Sequence, residues 1–149
     1  MTGGASVIGA DFVHFLIAET AVQVVNLDKL TYAGNPDTLA PLRGKGRHAF
    51  VEGDIGDSDL VRRLLGDYRV DAVVNFVAES YMDRSIEGSA AFIETNVVGT
   101  FNLLDCARAY WTDLGIAGKD SFRFCRSPPM RSMAHSVLPG SSPRYLLCT

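Results

Sequence analysis

The sequence is narrowed first by what it lacks. It has no excess of positive charge: 14 Lys and Arg stand against 17 Asp and Glu, a formal net charge of −3. It therefore has no electrostatic footprint for a nucleic-acid partner. It has no cysteine pairing. Cys106, Cys125 and Cys148 are widely spaced and form no C-x-x-C, which argues against a disulfide frame or zinc site and reads as reduced thiols of the cytoplasm. No apolar run approaches the length of a membrane span, and glycines interrupt the opening residues too early for a secretory leader. There is no internal repeat. What remains is a 149-residue chain, 47% hydrophobic and 21% charged, the composition of one soluble globular domain.

The informative stretch is Thr2-Gly3-Gly4-Ala5-Ser6-Val7-Ile8-Gly9. A helical run follows from Ala10 to Ala18, then an apolar strand, Val22 to Leu27, closed by Asp28. Glycine turn, helix, strand and acidic residue make the first half of a dinucleotide-binding unit. Glycines let the backbone turn sharply and approach a pyrophosphate. The helix N-terminus adds unpaired N–H groups and a positive dipole end. The Asp28 carboxylate can accept both ribose hydroxyls and repels a 2′-phosphate, so the expected cofactor is NAD. Ser6 stands where G-x-x-G-x-x-G spacing calls for glycine, and its side chain is expected to weaken pyrophosphate binding. A glycine turn alone is a weak signal; Asp28 strengthens it.

Further on, Gly34-Asn35-Pro36 signals a loop and Asp37–Leu42 a short helix. His48–Glu52 reads as a strand, and Asp57 or Ser58 caps a helix with Leu60, Val61, Leu64 and Leu65 on one face. Asp71–Val77 is apolar throughout, as in a parallel strand buried on both sides. Ser89–Trp111 reads as a long helix with apolar positions at Phe92, Ile93, Val97, Phe101, Leu104 and Ala107. Phe122–Phe124 begins another strand. This alternation predicts a doubly wound parallel α/β sheet of Rossmann type. The polar segments Asp28–Tyr32, Asp54–Ile55 and Ala78–Ser85 each follow a strand and should converge at one sheet edge.

The segments VVNLDKLTYAGN, FVEGDI, NFVAESYMDRS and FIETNVVGTFNLLDCARAYW strongly resemble dTDP-glucose 4,6-dehydratases. These are nucleotide-sugar lyases of the extended short-chain dehydrogenase/reductase type. The resemblance runs from Thr2 to about Phe124. It implies that a tightly bound NAD oxidises the sugar at C4, that water leaves across C5 and C6, and that hydride returns to C6. It implies that Gly3, Ser6, Ile8 and Gly9 lie at the pyrophosphate, and that Asp28, Lys29 and Thr31 surround the adenosine ribose. By the same resemblance Asp54 and Ile55 meet the adenine, and Ala78, Glu79 and Ser80 line the nicotinamide side. Tyr81, where the family usually has histidine, and Asn96 fall on the substrate side. The resemblance also implies a cytoplasmic homodimer built on the other face of the long helix.

Two family features are missing. The first strand, which runs into the glycine turn, is absent, and its loss is expected to leave a gap in the sheet and a poorly stable domain. The second is everything after Phe124. Residues 1–124 thus read as a partial NAD-binding domain, and residues 125–149 as an irregular tail rich in Ser, Pro and Arg. Read one base out of register, that tail can spell Val-Ser-Thr-Asp-Glu-Val-Tyr-Gly, the family's next segment, so it reads as frameshifted peptide. The Tyr-x-x-x-Lys pair is missing too, which leaves no catalytic residue to assign. Three functions follow: an inactive dehydratase fragment, a non-catalytic NAD-binding module, or a piece of another nucleotide-sugar enzyme such as an epimerase. The LDKLTYAGN and AES-x-x-DRS segments favour the dehydratase over the epimerase.

Overall fold

The computed structural model describes residues 4–30, 36–42, 44, 46–76, 90, 93–126 and 145–148. Among the described residues five parallel strands form the sheet. They are β1 (Gln23–Asp28), β2 (His48–Glu52), β3 (Val70–Asn75), β4 (Arg123–Arg126) and β5 (Tyr145–Cys148). Among the described residues four α-helices accompany them: α1 (Val7–Glu19), α2 (Ser58–Asp67), α3 (Thr100–Asp113) and α4 (Ile116–Ser121). A 3-10 helix covers Pro36–Leu42, and a π-helical turn, Glu94–Gly99, leads into α3.

Each helix follows from local chemistry. In α1, Ala10, Val13, Leu16 and Ile17 form a buried stripe at the three- and four-residue spacing of one helix face. Its C-terminal carbonyls are taken up by Arg47, whose guanidinium donates to Thr20 O and Ile17 O. That places a cation at the negative end of the helix dipole. In α2, Asp57 is the N-cap and accepts from the backbone N–H of Asp59 and Leu60, as Asp57→Ala would show by a loss of about 1 kcal/mol. Val61, Leu64 and Leu65 are its buried face.

Alternation along the strands sends side chains to two cores. Val25, Leu27 and Val73 meet α2 and α3 through Val61, Leu65, Leu103 and Cys106. Val24 and Val74 meet α1 and the 3-10 helix through Val13, Leu16 and Leu39. With helices on both faces of a parallel sheet, the fold is the doubly wound one expected.

The strand order is β2-β1-β5-β3-β4, and here one expectation is corrected. The gap predicted between β1 and β3 is filled. β5 pairs with β1 from Gln23↔Tyr145 to Asn26↔Cys148 and with β3 from Val70↔Tyr145 to Val74↔Cys148. Tyr145–Cys148 stands as the central strand of the sheet. The physical reason is that β1 and β3 each carry an unpaired ladder of N–H and C=O groups, which must find partners when buried. The structure also decides which positions of the long helix face the core. Of the six apolar positions expected along it, Ala107 is buried, whereas Ile93, Val97, Phe101 and Leu104 are exposed. Phe92 lies outside the described residues. The inward face is instead Gly99, Leu103, Cys106 and Ala107.

Candidate functional site

The carboxyl ends of β1, β2 and β3 and the N-terminus of α1 meet at one edge. Asn26 and Asp28 alternate onto the α1 side of the sheet, beneath the glycine turn. Asp28 is almost fully buried. Its Oδ2 accepts from the Ala5 backbone N–H at 2.9 Å, and its Oδ1 accepts from the Leu30 N–H at 2.9 Å. The carboxylate therefore ties the turn before α1 to the end of β1. It also holds Leu30 in the left-handed region, φ 50°, a conformation costing roughly 1–2 kcal/mol for a non-glycine residue. A carboxylate has about four lone-pair positions, so each oxygen retains capacity for a further donor.

Ser6 is the N-cap of α1, and its hydroxyl accepts from the Gly9 N–H at 3.3 Å. Ile8 is half-exposed at the helix start, while Gly9 is buried. The glycine turn lies against Asn26. A Cβ built on Gly4 would come within 2.0 Å of Asn26 Oδ1 and 2.6 Å of its Cγ and Nδ2. Only glycine fits there. The other side of the turn is held through α1: Phe12 packs on Phe76, just after β3, with ring centroids 5.2 Å apart.

Lys29 and Asp54 form an ion pair of 2.5 Å at the mouth of this edge, both partly exposed. Asp54 Oδ1 also accepts from the Gly56 N–H at 2.8 Å. Burial pushes the Asp54 carboxyl up, but the hydrogen bonds from Lys29 and Gly56 outweigh it and hold the group below its usual range. The Ile55 side chain is given to the core, where it lies against Gly99. Asn96 is half-buried in the π-helical turn. Gly3 and Thr31, together with Ala78, Glu79, Ser80 and Tyr81, lie outside the described residues.

Two residues of this edge were not foreseen. Asn102 on α3 donates from Nδ2 to Ile55 O and accepts from Ser58 Oγ, so it clasps the loop after β2 to α2. Its signal was a polar residue between Phe101 and Leu103, next to the inward face. Asn26 is fully buried, and neither of its amide atoms has a hydrogen-bond partner. It interrupts the apolar run Val24–Leu27 with a buried amide that a partner would ordinarily have to satisfy. Among the described residues no cluster of His, Cys, Asp and Glu could hold a metal ion, and no helix is long and apolar enough to cross a membrane.

A family model described as GDP-mannose 4,6 dehydratase matches residues 1–127. The dTDP-glucose 4,6-dehydratase of Xanthomonas campestris pv. campestris is 56% identical over 124 residues, which are 83% of this chain and 35% of that protein. The crystal structure of the Streptomyces venezuelae dTDP-glucose 4,6-dehydratase with NAD and TYD bound is similar at a TM-score of 0.68. It is 50% identical, over 73% of this chain and 35% of that one. The Bacillus anthracis dTDP-glucose 4,6-dehydratase in complex with NAD also reaches 0.68. It is 27% identical, over 95% of this chain and 44% of that one. The chain thus spans about a third of the length of the curated relatives it matches.

Proposed function

Since the chain belongs to the GDP-mannose 4,6 dehydratase family, we propose that it is the cofactor-binding part of a dTDP-glucose 4,6-dehydratase, able to hold NAD and lacking the groups that turn the sugar over. The observation that carries this reading is Asp28. Its buried carboxylate joins the glycine turn to the end of β1 and keeps lone pairs in hand, where an adenosine ribose would present two hydroxyls. The rest of the edge fits the same group. Gly4 admits no Cβ against Asn26, so the turn is seated closely on β1 just ahead of α1. The first amides of α1 favour a phosphate, with Ser6 already occupying the Gly9 N–H. Lys29 adds a positive charge beside Asp28, steadied by Asp54. Held by Asp28, Lys29 and the first amides of α1, NAD would supply the hydride acceptor and donor of the family's reaction.

In this reading Asp28 sets a preference for NAD over NADP, because a buried carboxylate accepts hydroxyls and repels a phosphate. Fluorescence titration of residues 1–149 with both cofactors checks it. NAD is expected to bind at least tenfold tighter, about 1.4 kcal/mol. Asp28→Ala should lose most of that margin, with some loss of stability as Ala5 and Leu30 lose their acceptor. Equal affinities, indifferent to Asp28→Ala, would refute the assignment.

We also assign a homodimer contact to the outer face of the long helix. Val97, Phe101 and Leu104 recur at the spacing of one helical stripe, and Phe101 is 70% exposed. A contiguous apolar stripe on the surface marks an interaction site. Phe101→Glu should convert dimer to monomer in light scattering. A dimer that survives this change places the contact elsewhere.

A further inference from the structure

We propose that Asn26 is a positioning residue for the glycine turn: its buried amide is the catch onto which the turn closes when a dinucleotide's phosphates bind. This role rests on the cofactor reading above, in which the turn and the start of α1 carry the pyrophosphate. Asn26 has no exposed surface, and neither its Oδ1 nor its Nδ2 has a partner. A carboxamide brings two N–H donors and an acceptor oxygen. Burying them unbonded is costlier than burying an apolar side chain of similar size. Folded chains keep violations of this kind at functional sites, where a local cost serves the activity.

The surroundings of the amide identify its partner. Asn26 is fixed from both sides, with Phe50 on β2 and Cys148 on β5 as its register partners. The turn lies directly over it. The three atoms nearest a Cβ built on Gly4 are Asn26 Oδ1, Cγ and Nδ2, at 2.0, 2.6 and 2.6 Å. The Gly4 backbone therefore touches the amide without bonding to it. The residues just after Gly4 are anchored: the Ala5 N–H donates to Asp28 Oδ2, and the Ser6 hydroxyl caps α1 at the Gly9 N–H. A small shift of Gly4 about that anchor brings its peptide groups into line with the amide below. Phosphates are drawn to the first amides of α1 and favour the turn position that presents them best. A hydrogen bond to Asn26 made only in that position adds its free energy to binding. Asn26 acts through the turn and touches no ligand.

The test uses residues 1–149 and the variant Asn26→Ala, each titrated with NAD and with adenosine, which lacks the phosphates. Asn26→Ala should weaken NAD by about tenfold, the size of one well-placed hydrogen bond, and leave adenosine unchanged. A merely structural role would weaken both alike. The second measurement follows the Asn26 side-chain amide by NMR in the unmodified chain, labelled with ¹⁵N at asparagine. Its proton signals should move downfield as NAD saturates, as those of a newly bonded amide do, and should stay in place with adenosine. Should Asn26→Ala not fold, this signal decides alone. Unchanged NAD affinity in Asn26→Ala, equal losses for NAD and adenosine, or an amide signal indifferent to NAD overturns the proposal. No saturable NAD binding by the unmodified chain overturns the cofactor reading and this role with it, whereas NAD binding that ignores Asn26 overturns the role alone.

Discussion

Residues 1–149 supplied with dTDP-glucose and NAD are expected to form no 4-keto-6-deoxy product. The chemistry needs a base for the C4 hydroxyl while hydride leaves, and in this family a Tyr-x-x-x-Lys pair supplies it by resemblance. None of Tyr32, Tyr68, Tyr81, Tyr110 and Tyr145 has a lysine four residues on. Loss of water at C5 and C6 needs an acid and a base, and the chain contains no Asp-Glu step. Positioned acid–base groups are each worth about 10²–10⁴-fold. Losing both sets leaves at most binding and orientation. The measurement is product formation by absorbance or chromatography over several protein concentrations. Product that rises in proportion to protein would refute the claim and would mean that another group serves as base.

The second large effect is expected at Gly4. In Gly4→Ala the new Cβ would stand 2.0 Å from Asn26 Oδ1, far inside contact distance. Asn26 has no exposed surface and is flanked by strands on both sides, so it cannot swing clear. Overpacking of this kind costs about 1–3 kcal/mol, occasionally more, against a total of only about 5–15 kcal/mol for a domain. The turn would have to move off β1, breaking the Ala5–Asp28 bond. Gly4→Ala should therefore lower the thermal midpoint by several degrees and abolish saturable NAD binding. Asn26→Ala makes room and removes an unpartnered buried amide. The double variant should recover much of the lost stability, because residues in contact are energetically coupled. If the two changes simply add, the contact does not govern the turn.

Most of the helices and strands were legible from the sequence, because short-range patterns dictate them. The short apolar run Val22–Leu27, closed by Asp28, marks β1 whatever lies beside it. The Asp57 cap and the Leu60–Leu65 stripe place α2 within a residue. The glycine turn followed by Asp28 announces the candidate edge, since a tight turn and an acid at a strand end are its local signals. All of these are decided within a few residues of chain.

Tertiary structure alone decided the rest. Phe101 and Leu103 are equally apolar neighbours on one helix, and only the position of the sheet selects which turns inward. Asn102 becomes a clasp only because the loop at Ile55 comes to rest beside it. Asn26 reads as an ordinary polar interruption until the glycine turn is laid on top of it. The fourth example is β5. Nothing in Tyr145–Cys148 marks a central strand, and its surroundings in sequence argue against one. Strand pairing is a property of the backbone ladder and of what stands on either side. β1 and β3 hold open ladders at a strand's width from a shared partner, and that long-range demand, invisible in any local window, draws the segment in.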